Sequence, residues 1–154
     1  MLFRSSPNIA AEAIATGIAT AEWPARMQRL TGKLAALLPQ NWDLYLDGGH
    51  NPGAGIVLAD QLRAWSDLPT HVIVGMKQSK DSAEFLRPML PHVASLWAVA
   101  EPGQHLALPV EAIIAASGNV ARAGPTVADA LRAIPRTNAP ARVDRKSTRL
   151  NSSH

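Results

Sequence analysis

The chain contains no cysteine. That excludes disulfides, thiolate catalysis and cysteine-ligated zinc. Aromatic side chains are scarce: four tryptophans, two phenylalanines and one tyrosine among 154 residues. A binder of single-stranded nucleic acid generally offers aromatic platforms on a basic face, so this composition argues against nucleic acid as a partner. No stretch approaches the roughly 20 consecutive apolar residues of a membrane span, and the start, Met1 to Ala15, is too weakly apolar for a secretory signal. These absences fit a cytoplasmic protein without a membrane partner. The five histidines include no i, i+4 pair, and acidic residues do not gather around them, which argues against a protein metal cage.

Hydrophobic residues make up 47% of the chain, enough for one packed domain. The formal charge is +3, and much of it comes from Arg136, Arg142, Arg145, Lys146 and Arg149 near the carboxyl end. Asn8 to Thr16 reads as a short helix that belongs to something larger. Strands are expected at Ala25–Leu30, Leu44–Asp47, His71–Gly75, Ser95–Ala100 and Val120–Ala123. Helices are expected at Ala54–Trp65, Ser82–Arg87, Pro109–Ala116 and from the Thr126 cap to Ile134. In the first of these, Val57, Leu58, Leu62 and Trp65 share one face. Leu34 to Leu38 is an ambiguous apolar run. Strands alternating with helices imply an α/β fold with a mostly parallel sheet covered on both faces.

The most specific segment is Leu44-Tyr-Leu-Asp-Gly-Gly-His-Asn-Pro52. An apolar strand runs directly into an acid, two glycines, an imidazole, an amide and a proline. Ligand sites of α/β proteins form in this way, at the carboxyl ends of strands. Pro52 suits the first turn of the next helix, and Asp47, His50 and Asn51 are left to face the crevice. A plain strand-to-helix turn capped by Asn51 explains the glycines, the amide and the proline equally well. Lys77, Lys80 and Asp81 follow the next strand and face the same side, either as a solvated loop capped by Asp81 or Ser82 or as contacts to an acidic substrate or a partner domain. Gly32-Lys33 lacks the surroundings of a phosphate loop, and Gly53-Ala54-Gly55 has Leu58 where a dinucleotide fingerprint needs its third glycine.

Asp47-Gly48-Gly49-His50-Asn51-Pro52 resembles the Asp-Gly-x-His-Asn-Pro motif of folylpolyglutamate and dihydrofolate synthases, in the Mur ligase superfamily. Trp23-Pro24-Ala25-Arg26-Met27-Gln28 is similar to that family's Trp-Pro-Gly-Arg-Leu-Gln, with Ala25 in place of glycine. Gly75 and Lys80-Asp81 resemble its Gly…Lys-Asp. The resemblance spans roughly residues 9 to 143. It implies a Rossmann-like domain of the Mur ligase C-terminal type, in which Arg26 and Asp47 contact ATP and His50 and Asn51 shape the same pocket. A guanidinium suits phosphate oxygens, and a carboxylate suits paired ribose hydroxyls. Family enzymes phosphorylate a carboxylate of dihydropteroate or a folate with ATP, and the amine of L-glutamate then attacks the acyl phosphate. The phosphate loop and Mg²⁺ ligands of that chemistry lie in an N-terminal ATPase domain. The chain therefore reads as a monomeric C-terminal fragment of a folate-biosynthetic ligase of one-carbon metabolism, inactive alone. A freestanding nucleotide-binding module, or a non-catalytic interaction domain, remains as an alternative.

This reading divides the chain into 1–17, the end of the preceding ATPase domain or a linker helix; 18–143, the C-terminal-type domain; and 144–154, a disordered tail. Arg142-Val143 would begin one more strand, but the apolar residues needed to continue it are missing. The polar run from Asp144 to His154 resembles translated adaptor sequence, or else is a flexible native terminus. The family's last strand is therefore expected to be absent, leaving an uncovered sheet edge.

Overall fold

The computed structural model describes residues 27–78 and 81–147. The expected Asn8–Thr16 helix, the Trp23–Arg26 segment, Lys80 and the last seven residues lie outside them. Six strands form one sheet in the order β1-β2-β6-β3-β4-β5. They are β1 (Gln28–Leu30), β2 (Trp42–Asp47), β3 (Thr70–Gly75), β4 (Ser95–Ala98), β5 (Arg122–Ala123) and β6 (Ala141–Ser147). Only β1 runs antiparallel, with Gln28 opposite Leu46 and Leu30 opposite Leu44. The other neighbours pair in parallel.

Four helices cover the sheet: α1 (Pro52–Ala64), α2 (Ser82–Leu86), α3 (Val110–Ala116) and α4 (Val127–Ala133). Two 3₁₀ segments, Ala35–Leu37 and Arg87–His92, join them. The first falls on the ambiguous apolar run. The period-2 alternation of strand side chains splits the core in two. Val72 and Val74 pack with Leu58, Leu62, Phe85, Met89 and Ile113 under α1, α2 and α3. Ile73 packs on the other side with Leu44, Trp97, Val127 and Leu131, under α4. Because β3 is buried on both faces, it reads as an unbroken β-branched run. The expected α/β sheet with helices on both faces is what forms. None of the described helices is long and apolar enough to cross a membrane.

One sequence reading fails within α1. Its buried stripe is Gly55, Leu58, Ala59 and Leu62, whereas Val57 is 64% exposed. The reason is the approach of α2. A Cβ on Gly55 would lie 2.3 Å from the Phe85 carbonyl oxygen, so the glycine edge of α1 faces inward and turns Val57 to solvent. Trp65 is half-buried beyond the helix end, with its ring 4.7 Å from Tyr45.

A second correction concerns the carboxyl end. Residues 144–147 belong to β6, so the last strand is present and the disorder expected from Asp144 does not hold there. β6 lies between β2 and β3, which have no direct pairing of their own. No sheet edge is uncovered at that place. Backbone pairing on both sides offsets the poor side-chain pattern. Arg142 secures the start of the strand: it donates to both Asp67 carboxylate oxygens, at 2.8 and 3.1 Å, and sits 5.0 Å from the Trp65 ring centre.

Candidate nucleotide-facing site

The segment that follows β2 builds the site. Asp47 is the last residue of the strand and is buried. Its Oδ1 accepts a 2.7 Å hydrogen bond from the Gly49 amide, which closes a tight Asx-type turn. Gly49 is needed here because a Cβ would lie 2.9 Å from Leu58 Cδ1 and 3.1 Å from Ala54 Cβ. The turn packs directly against α1. Asn51 is the N-cap, its Oδ1 accepting from the Ala54 amide at 2.8 Å, and Pro52 occupies the first helical position. His50 is exposed, and its Nδ1 donates to the Gly48 carbonyl at 3.1 Å. A carbonyl can only accept, so Nδ1 is the donor in this contact.

The second wall follows β3. Gly75 ends that strand beside Val99. Lys77 is exposed, and its backbone forms an isolated antiparallel bridge with Ala107. Gln78 N donates to Leu106 O at 2.9 Å, and Leu108 N donates to Met76 O at 2.7 Å. The loop between β4 and α3 is thus stitched to the exit of β3. Asp81 is exposed and stands at the N-cap of α2, without a side-chain capping bond. Parallel pairing brings the ends of β2 and β3 to the same end of the sheet, on either side of β6. Asp47, His50, Asn51 and Lys77 gather there. Arg26 and Lys80 lie outside the described residues. Antiparallel pairing sets Gln28 opposite Leu46, so β1 starts at the Asp47 end.

Two further groups enter the site without a local sequence signal. Lys146, from β6, is 1% exposed. Its Nζ lies 3.6 Å from Asp47 Oδ2 and contacts the Asp144 carboxylate. Neither contact has hydrogen-bond geometry, and both Asp144 oxygens and the Lys146 nitrogen lack a hydrogen-bond partner. Burial pushes the Asp144 carboxyl above the ordinary range, Lys146 opposes that, and Asp47 adds to it. The second group is Glu101, beyond β4, whose Oε1 accepts from the Val127 amide at 2.7 Å and caps α4. Burial depresses the Arg145 pKa, and the Glu101 charge partly restores it. Among the described residues, no three His, Asp or Glu side chains form a metal-ligand group.

A groove of about 380 Å³ lies at the opposite end of the sheet, lined by Leu62, Trp65, Thr70 and Val93 and flanked by Arg63 and His92. None of the candidate residues lines it.

No family model matches the chain. Among curated proteins, it is 33% identical over 90 residues to a probable bifunctional folylpolyglutamate synthase/dihydropteroate synthase of Haloferax volcanii; the match takes in 58% of this chain and 10% of that protein. Among solved structures, it is similar to the bifunctional folylpolyglutamate synthase/dihydrofolate synthase of Yersinia pestis complexed with AMPPNP and Mn, at 21% identity and a TM-score of 0.63. That match covers 90% of this chain and 32% of the other. A further bifunctional synthase, with Mn, AMPPNP and L-glutamate bound, matches at 22% identity and a TM-score of 0.65, again over 90% and 32%. The chain therefore spans about a tenth of the curated relative and about a third of the solved ones. Its fold is that of a C-terminal-domain-sized piece of the bifunctional folylpolyglutamate synthase/dihydrofolate synthases.

Proposed function

We propose that this chain is the nucleotide-closing C-terminal domain of an ATP-dependent ligase that joins L-glutamate to the carboxylate of dihydropteroate or a tetrahydrofolate. The observation that carries this reading is the Asp47–Pro52 turn, an acid and an imidazole set at the end of a buried strand in a fold shared with such synthases. Residues 18–143, extended by the remainder of β6 to Ser147, form the domain in this reading, and residues 1–17 lead out of an ATPase domain.

Arg26 supplies a planar fork of donors to nucleotide phosphates, and Asp47 accepts from the ribose hydroxyls. Support for their sharing a pocket comes from the direction of β1, whose N-terminal end lies beside the end of β2. To reach a ribose, the Asp47 carboxylate exchanges its Lys146 contact for the ligand. His50 and Asn51 keep the turn in shape, and Lys77, Lys80 and Asp81 face the substrate or the ATPase domain. Mg²⁺, supplied with ATP, neutralises phosphate charge, and this reading assigns its protein ligands to the N-terminal ATPase domain. The full enzyme orients three substrates and shields the acyl phosphate from water. The domain does not turn over alone and acts in the cytoplasm as part of a monomer.

The test uses a longer ligase that carries this domain. Arg26→Ala and Asp47→Ala should each raise the KM for ATP at least about tenfold, the scale of one lost charge-assisted contact. An unchanged KM in both variants would favour the reading as a non-catalytic interaction domain.

A further inference from the structure

A central parallel strand covered on both faces is normally apolar throughout. β6 departs from this on the α1 side of the sheet. There Asp144 pairs in register with Tyr45 and Val72, and Lys146 with Asp47 and Val74. Both side chains are fully buried, and their polar atoms have no hydrogen-bond partner. Their register partners Val72 and Val74 belong to an apolar cluster that includes Leu58 and Leu62. On the opposite side, Ala141 and Val143 fit their cluster without conflict. The misfit begins where the polar run of the sequence begins and is fullest on this side; on the other, the Nε of Arg145 is also buried without a hydrogen-bond partner.

We propose that positions 144 and 146 are seats for apolar side chains, and that the lysine now in the second seat masks Asp47, the acid of the nucleotide crevice. Lys146 stands 3.6 Å from Asp47 Oδ2, while Oδ1 is held by the Gly49 amide. Both carboxylate oxygens are thus engaged from inside the protein. An apolar residue at position 146 frees Oδ2 from its contact with Lys146. This deepens the nucleotide reading of the crevice. It also gives physical content to a boundary at residue 143, beyond which the residues do not suit the slot that holds them.

The test compares the full chain with Lys146→Val and with Asp144→Val/Lys146→Val. Removing one member of a buried ionic cluster leaves uncompensated charge, whereas replacing the pair by apolar groups relieves it. Lys146→Val should therefore lower Tm, and the double variant should raise it above the parent by about 5 °C. Carboxyl labelling with a carbodiimide and glycine ethyl ester, read by mass spectrometry, should find Asp47 protected in the parent and labelled at least about fivefold more in the double variant, as expected when a buried carboxylate loses its ion pair. A double variant less stable than the parent would overturn the proposal, and so would one in which Asp47 stays protected. Neither readout involves nucleotide. Failure of ATP to bind the double variant would count against the nucleotide reading alone.

Discussion

Single residues decide the shape of the turn after β2. Asn51 closes the first turn of α1 through the Ala54 amide. Loss of such a cap costs about 1 kcal/mol, so Asn51→Ala should lower stability by that amount in urea unfolding, with an unchanged m-value. Gly55 is less forgiving. Its missing Cβ is what lets α1 approach the Phe85 carbonyl, and Gly55→Ala should cost roughly 1–3 kcal/mol as the two helices are forced apart. The turn was legible in the sequence because Gly, Asn and Pro have local backbone reasons to stand there. Lys146 was not. Its meeting with Asp47 depends on a strand pairing almost a hundred residues away, and no local pattern records it. Asp144 leads to a pH dependence. Burial raises its folded pKa above the ordinary 3.8, so the folded chain retains a proton that the unfolded chain releases. Stability from this group is full below about pH 3.8 and is lost as pH rises through the raised value. Asp144→Asn should therefore gain Tm over the parent as pH increases from about 4 to 7, and a constant offset across that range would contradict the assignment.

Among the elements, the strands whose both faces are buried were the easiest to read. β3 is β-branched and continuous, and it forms where its composition requires. Helix α4 carries its own signal, a capping box between Thr126 and Asp129. The burial of α1 was harder, because helical periodicity alone cannot tell which neighbour will come closest. The near contact with α2 assigns the inner edge to Gly55 and leaves Ile56 and Val57 outside. β6 was harder still. Its composition reads as a solvated tail, but its backbone completes the sheet between β2 and β3. Tertiary context here overrides side-chain preference, as it commonly does in strands. Arg142 adds a side-chain anchor at the strand's start through exposed Asp67. Such a partly exposed pair contributes little by itself. Arg142→Ala should cost less than about 1 kcal/mol by thermal unfolding, far less than any disruption of β6 pairing.

At the scale of the whole molecule, the sheet order, the two cores and the crevice follow from the α/β alternation, which the sequence carries plainly. The site is only half legible, since Arg26 and Lys80 fall outside the described residues and the other half of a nucleotide clamp belongs, in this account, to a longer ligase. The candidate residues gather at the carboxyl ends of β2 and β3, while a separate groove lies at the opposite end. These two ends make different demands on a ligand. A nucleotide reading rests on the donors and acceptors gathered around Asp47, whereas the groove at the other end mixes Leu62 and Val93 with Arg63, Ser66 and His92. The most direct test is therefore a backbone amide NMR titration, with magnesium AMPPNP, of the full chain carrying Asp144→Val/Lys146→Val, in which Asp47 is unmasked. Shifts are expected at residues 47–52 and 75–78, reduced by Asp47→Ala. Shifts confined to residues 62–70 and 91–94, or shifts around Asp47 that persist in Asp47→Ala, would contradict the nucleotide reading.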